Sequence, residues 1–409
     1  MSESGKKIPI PPHLTEGLYQ PQPETVEVPV KASKLFIGIP HETTLQEKRI
    51  ALAPAAVATL VGHGHRVIVE TGAGKKANYT DHDFSEAGAE IAYDREAVFK
   101  ANVVLKVAPP TLDELDLMHP GQVIISPIHI PIVTEEWIER LLEKRIIALA
   151  MDYIKDESGG LPIVRIMSEL AGYSAMLIAA ELLSNNQGGR GVLLGSVSGV
   201  PPAKVVILGA GVVAEFATRV ALGLGAEVRI FDNNVYKLMR LQRDVGRQLN
   251  TSTFNPQQLE KELLNADVAI GAVHSMTGRT PIIVPEEIVM NMKRGSVIID
   301  VSIDQGGCFE TSEVTSHEKP TFIKHGIIHY CVPNIPSRVA RTASIAISNI
   351  LTPILLKAGN SGSIEQLLYI DEGMRHGVYA FRGRVTNEHL ARRFGKQFTD
   401  LNLLMTSSL

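Results

Sequence analysis

KVVILGAGVVA, residues 204–214, decides the fold of half this chain. A lysine and four apolar residues read as a strand, a tight glycine turn follows, and an apolar-periodic helix runs on through roughly Leu224. At the end of the next apolar run, Glu227–Phe231, stands Asp232. Strand, GxGxxA turn, helix and an acid at the next strand end together make a dinucleotide-binding fingerprint in its structural context. Gly209 permits the turn. Gly211 lets the backbone approach a pyrophosphate, and the helix N-terminus at Val212 and Val213 offers free N–H groups and a partial positive charge. Ala214 holds the close-packing position. Asp232 accepts hydrogen bonds from ribose hydroxyls, which favours NAD over its phosphorylated form.

The 409-residue chain is long enough for two domains with sizeable cores. A net charge of −4 with no long basic run removes the electrostatic footprint of a nucleic-acid binder. No unbroken apolar stretch reaches the ~20 residues that span a bilayer, and no signal-peptide core opens the chain. Two cysteines, Cys308 and Cys331, give neither a disulfide framework nor metal-ligand spacing, so no metal is expected. The reading is a reduced, cytoplasmic protein that binds no nucleic acid and no membrane.

Residues 1–33 are polar and proline-rich and read as an extended arm. From Lys34 strand and helix alternate. Strands are expected at Leu35–Ile39, Arg66–Glu70, Val103–Val107, Val123–Ser126 and Ile146–Ala150, with helices between them such as Ala55–Gly62 and Glu135–Lys144. This βαβ series predicts a mostly parallel sheet with helices on both faces. Ser168–Leu183 reads as a long apolar connecting helix, and Gly188–Gly199 as a glycine-rich loop or hairpin. The second series places strands at 204–208, 227–231, near Ser252, and at 267–272, 296–301 and 327–332. A helix over Arg341–Ala358 then returns toward the first domain, where the tail 359–409 is expected to pack. The fold class is α/β, with two Rossmann-like doubly wound domains. The first is discontinuous (34–167 and 340–409), and the second, 168–339, binds the dinucleotide.

Ligands of open parallel sheets bind beyond the carboxyl ends of the strands. In the second domain those ends carry Gly209–Ala214, Asp232, Ala272 and Val273, Asp304 within 300–307, and Asn334. In the first domain they carry Arg49, Lys106 and His129. Arginine offers a fork that matches a carboxylate. Histidine shuttles protons near neutrality. Singly, each has a bland reading: Arg49 as a surface charge, His129 as a core histidine between two isoleucines, Asp304 and Asn334 as turn residues.

Four stretches carry a resemblance: IGIPHE…EKRIALAP (37–54), GVLLGSVSGVPPAKVVILGAGVV (191–213), GSVIIDVSIDQGGCFET (295–311) and HYCVPNIPS (329–337). From about Lys34 to about Ala358 the chain resembles the alanine dehydrogenase family, whose members share a fold with the nicotinamide-binding subunit of proton-translocating transhydrogenase. The resemblance implies a reversible NAD-dependent oxidative deamination of L-alanine to pyruvate and ammonium. It puts Arg49 on the substrate carboxylate, His129 and Asp304 in the catalytic roles, and Asn334 near the nicotinamide. It also implies a homo-oligomer, by analogy with hexameric members. One departure stands out. The family reads KVKEP where this chain reads Lys106-Val107-Ala108-Pro109-Pro110, so Ala108 replaces a lysine that contacts the substrate. Lys106 lies two residues away, ~7 Å along a strand but on the same face, and is expected to reach part of the way. Ala108 leaves open a dehydrogenase for another amino acid or 2-oxo acid, or a catalytically impaired NAD-binding homologue.

Overall fold

The computed structural model describes residues 33–128, 133–275 and 278–406. The arm expected over 1–33 lies outside the described residues except for Ser33.

Fully buried at the centre of each sheet, where helices cover both faces, and partly exposed toward its edges, short runs of the chain become strands. In the first half these are β1 (Phe36–Ile39), β2 (Arg66–Glu70), β3 (Glu90–Ala92), β4 (Val103–Leu105), β5 (Val123–Ser126) and β6 (Ile147–Ala150). The second half gives β7 (Lys204–Leu208), β8 (Glu227–Phe231), β9 (Asn250–Ser252), β10 (Val268–Gly271), β11 (Val297–Asp300), β12 (Thr321–Lys324) and β13 (Ile327–Tyr330). The tail contributes β14 (Val378–Phe381) and β15 (Arg384–Val385). One sheet has the order β15-β14-β6-β5-β4-β1-β2-β3, and the other β12-β13-β11-β10-β7-β8-β9. Among the described strands of the two sheets only the pairings β12–β13, β6–β14 and β14–β15 are antiparallel.

Each sheet therefore holds six parallel strands in the doubly wound order, with antiparallel strands added at one edge. In each, the strand order reverses beside the first strand: between β1 and β4, and between β7 and β10. Four chain segments leave those strands at their carboxyl ends: 40–49, 106–110, 209–214 and 272–275.

Two helices join the halves. Pro162–Leu182 begins about two turns before the expected Ser168, with a proline in its first turn. It packs on the helix Val212–Gly223 at Gly172, where a Cβ would stand 2.5 Å from the Val213 carbonyl oxygen. Ala340–Asn360 carries Ser344 and Ser348, whose hydroxyls accept the backbone N–H of Ile50 (2.9 Å) and Ala53 (2.7 Å). The segment that bears Arg49 is thereby tied to a rigid helix. Both helices are long and apolar enough, by length and composition, to cross a membrane, although neither is an unbroken apolar run. Here their small and apolar residues, among them Ala171, Ala175, Ala179, Ile347 and Leu351, are buried in the two main cores.

Gly172→Ala should push the helices Pro162–Leu182 and Val212–Gly223 apart. The expected outcome is a destabilisation of about 1–3 kcal/mol, read as a lower melting temperature. An unchanged melting curve would contradict the close approach.

Candidate active site

The glycine turn is built to leave space above it. Gly209 has φ +107°, and a Cβ there would stand 2.3 Å from the Ala272 carbonyl oxygen. No side chain is tolerated at that point. At Gly211, the N-cap of the helix Val212–Gly223, a Cβ would meet nothing within 4 Å. The helix N-terminus is thus open, with unpaired N–H groups that fit a pyrophosphate. Ala214 is fully buried beneath it. Asp232 follows β8 and accepts the N–H of Ala210 and that of Asn234, each at 2.8 Å. The acid therefore shapes the glycine turn.

The segment after β11 is folded around Asp300, whose buried carboxylate accepts N–H groups from Ser302 (3.0 Å), Cys308 (2.8 Å) and Phe309 (3.3 Å) and the Ser312 hydroxyl (2.7 Å). That web presents Asp304 to the cleft between the two sheets. Ser302 also accepts the Val273 N–H (3.0 Å), so the exits of β10 and β11 are laced together. Asp304 is exposed to the open cleft, with protein packed around its remaining sides. Burial pushes its carboxyl up to about 6, while the Asn334 N–H and the Arg49 charge pull it partly back. Asn334 sits in a left-handed conformation, φ 58°, at the exit of β13.

Arg49 comes from the other sheet. Its Nε and Nη2 donate to the two oxygens of Glu47 at 2.8 and 2.6 Å, and its Nη1 donates to Met167 Sδ at 3.1 Å. One edge of the guanidinium is thus held by a carboxylate, and the end bearing Nη1 is covered only by a thioether. Arg49, Asp304, Asn334, Gly211, Val212, Val213, Ala272 and Val273 line one cleft of about 470 Å³. Its remaining wall is largely apolar, with Val107, Pro127, Met151, Ile163 and Met167. A larger, more open groove of about 750 Å³ elsewhere, lined by Thr59, Tyr79, Arg341 and Thr352, holds none of the candidate residues.

Lys106 is a correction. β4 ends at Leu105, so residues 106 and 108 do not share a strand face, and the Lys106 ammonium is absent from the cleft lining. It is buried instead between Glu42 (2.8 Å) and Glu114 (3.1 Å). Pulling a lysine out of such a pair costs about 3–5 kcal/mol. Ala108 is fully buried. His129 lies outside the described residues, so its expected role gains no geometry.

Two groups escaped the sequence reading. Glu47 stands two residues before Arg49, a spacing that puts both side chains on one side of extended chain. Asp152 follows β6 by two residues, and the strand-end rule applied to β6 would have found it. It lines the cleft and accepts the Ile128 N–H at 3.3 Å. Burial pushes its carboxyl up to about 7.

Comparison with known proteins bears directly on this arrangement. The family model described as alanine dehydrogenase/PNT, N-terminal domain, matches residues 38–171, and the C-terminal domain model matches 175–388. The chain is 39% identical to alanine dehydrogenase of Bacillus subtilis (strain 168) over 365 residues, covering 89% of this chain and 96% of that one. It is 38% identical to alanine dehydrogenase 2 of Staphylococcus aureus (strain USA300) over 363 residues, covering 88% and 97%. A solved L-alanine dehydrogenase superposes with a TM-score of 0.83 at 39% identity, over 88% of this chain and 99% of that one. The transhydrogenase from Sinorhizobium meliloti shares the fold, with a TM-score of 0.73 at 24% identity, over 86% and 99%.

The Asp152 carboxyl yields a stability prediction. Its proton is held more tightly folded than unfolded, so its ionisation opposes folding as pH rises from about 4 through about 7. Asp152→Asn should melt close to the wild type near pH 4 and at a higher temperature than the wild type by pH 8. A melting difference that does not change with pH would contradict the buried, proton-holding state.

Proposed function

The chain belongs to the alanine dehydrogenase/PNT family, and on that footing we propose that it catalyses the reversible NAD-dependent oxidative deamination of L-alanine. The balanced reaction is L-alanine + NAD⁺ + H₂O ⇌ pyruvate + NH₄⁺ + NADH + H⁺. The observation that carries this reading is one cleft lined at once by Arg49, Asp304, Asn334 and the open glycine turn. A carboxylate anchor, a titratable acid and a dinucleotide floor thereby face one another from two sheets.

NAD is the family's cofactor, and Gly209, Gly211, Val212, Val213, Asp232, Ala272, Val273 and Asn334 are the residues proposed to hold it. When bound, its nicotinamide accepts the hydride that leaves the substrate Cα. The chain supplies the rest. Arg49 takes the substrate carboxylate on its Nη1 end, because Glu47 occupies the other edge. Asp304 removes a proton from the substrate ammonium; with its carboxyl at about 6 it is mostly ionised at neutral pH and still basic enough to accept one. After hydride loss, water adds to the imine carbon, and His129 takes the proton that this water releases. Asp304 then returns its proton to the carbinolamine nitrogen, which leaves as ammonia as the C=O bond forms; the hydroxyl proton passes to that ammonia, giving ammonium, and His129 releases its proton to solvent. The largely apolar wall keeps bulk water away from the reacting carbon.

A second substrate reading rests on Ala108. The family's lysine is absent there, and Lys106 is committed to Glu42 and Glu114. No lysine lines the cleft among the described residues. This favours slow turnover of alanine, or an amino acid with a larger apolar side chain against Met151 and Met167.

Steady-state assay with NAD⁺ and a panel of amino acids, and with NADH, ammonium and the matching 2-oxo acids, tests the proposal. Turnover of alanine and pyruvate supports the first reading, and a clear preference for a larger side chain supports the second. Asp304→Asn should lower kcat by about 100-fold or more. Absence of turnover with every pair, or an Asp304→Asn enzyme of normal rate, would overturn the assignment.

A further inference from the structure

Glu47 does more than neutralise Arg49. Its carboxylate accepts the backbone N–H groups of Lys48 (3.0 Å) and Arg49 (2.9 Å) as well as the guanidinium. It also accepts Asn334 Nδ2 at 2.7 Å and the Ser337 hydroxyl at 3.1 Å. The loop that carries it leaves β1, in the first sheet, whereas Asn334 and Ser337 follow β13, in the second. A single buried carboxylate therefore fastens the substrate-facing arginine of one half to the cofactor-facing asparagine of the other.

The backbone around it is costly. Leu45 and Gln46 are consecutive non-glycine residues in left-handed conformations, φ 55° and 50°. Each such residue costs about 1–2 kcal/mol. Strain of this kind persists only where surrounding contacts over-determine it. Those contacts are present: Gln46 Oε1 accepts the His317 N–H at 2.9 Å, and the Lys48 N–H is shared between Glu47 and Ser337 Oγ. The loop is held in a shape that delivers the Glu47 carboxylate, and the bonds that hold it reach the second sheet.

We propose that Glu47 is a positioning residue. By gripping the Nε/Nη2 edge of Arg49 and the amide of Asn334 together, it turns the Nη1 end of Arg49 into the cleft and limits the substrate carboxylate to that end. Burial alone would raise its carboxyl, but Arg49 and Asn334 outweigh this and hold it at about 2, so Glu47 stays ionised throughout the working pH range. Glu47→Gln is nearly isosteric but loses the charge, and its amide nitrogen meets donors on every side. The arginine is then free to swing.

This inference rests on the proposed role of Arg49, and the test separates the two. Dissociation constants are measured for pyruvate and for larger 2-oxo acids on the NADH-loaded protein, without ammonium so that no turnover occurs. The wild type, Glu47→Gln, Glu47→Asp, Arg49→Ala and the Glu47→Gln/Arg49→Ala double variant are compared. Loss of a charge-assisted hold predicts at least about tenfold weaker 2-oxo acid binding in Glu47→Gln. Glu47→Asp keeps the charge but is too short to span both partners, so it should show a similar loss with the fold retained. Adding Glu47→Gln to Arg49→Ala should weaken binding no further, because Glu47 acts through the arginine. Wild-type affinity in Glu47→Gln or Glu47→Asp, or additive losses in the double variant, would overturn the positioning role while leaving Arg49 in place. A wild type that binds no 2-oxo acid would overturn both.

Discussion

The cation in this cleft, and its tie to the second sheet, depend on an ion pair that spans only two residues of sequence. Arginine in an apolar wall needs a counter-charge, and a counter-charge on every edge would leave it no free end. Glu47 meets both requirements by approaching from the side, on Nε and Nη2, and leaving the Nη1 end beneath Met167 Sδ. The same carboxylate reaches Asn334 and Ser337, so a local pairing also joins the two halves. Ser344 and Ser348 fix the following residues to a long helix, so the arginine is supported from both directions.

The two sheets make such a convergence natural. Both use the same doubly wound strand order, and both present their carboxyl ends to the intervening cleft. The second sheet supplies the glycine turn and the Asp304 segment. That segment is shaped by Asp300, a buried carboxylate whose hydrogen bonds are spent on backbone and Ser312. The first sheet supplies the cation.

Much of this was legible in the chain because buried parallel strands are short apolar runs, and the glycine turn has strict steric demands. β1, β2, β5, β7 and β8 stand where the hydrophobic pattern puts them. β3, β12, β14 and β15 were not read: they are two to four residues long and lie toward sheet edges, where the pattern is weak. Arg49, Asp304 and Asn334, read from the strand-end rule, line one cleft, whereas Asp232, read the same way, does not. Lys106, read from the same rule, lies away from the cleft, because a strand two residues shorter than its apolar run turns the side chain toward Glu42 and Glu114. Glu47 was hidden by its charge, which reads as a solvated side chain until the arginine beside it is known to be buried. Asp152 was hidden only by incomplete use of the rule that found the others.

The most direct measurement is a crystal structure of the protein with NADH and pyruvate in the absence of ammonium. The account predicts the pyruvate carboxylate on the Nη1 end of Arg49 in place of Met167 Sδ, with Glu47 still on the Nε/Nη2 edge and Asp304 facing the carbonyl carbon. A pyruvate carboxylate bound away from Arg49, or a Glu47 displaced from its edge by the ligand, would contradict it.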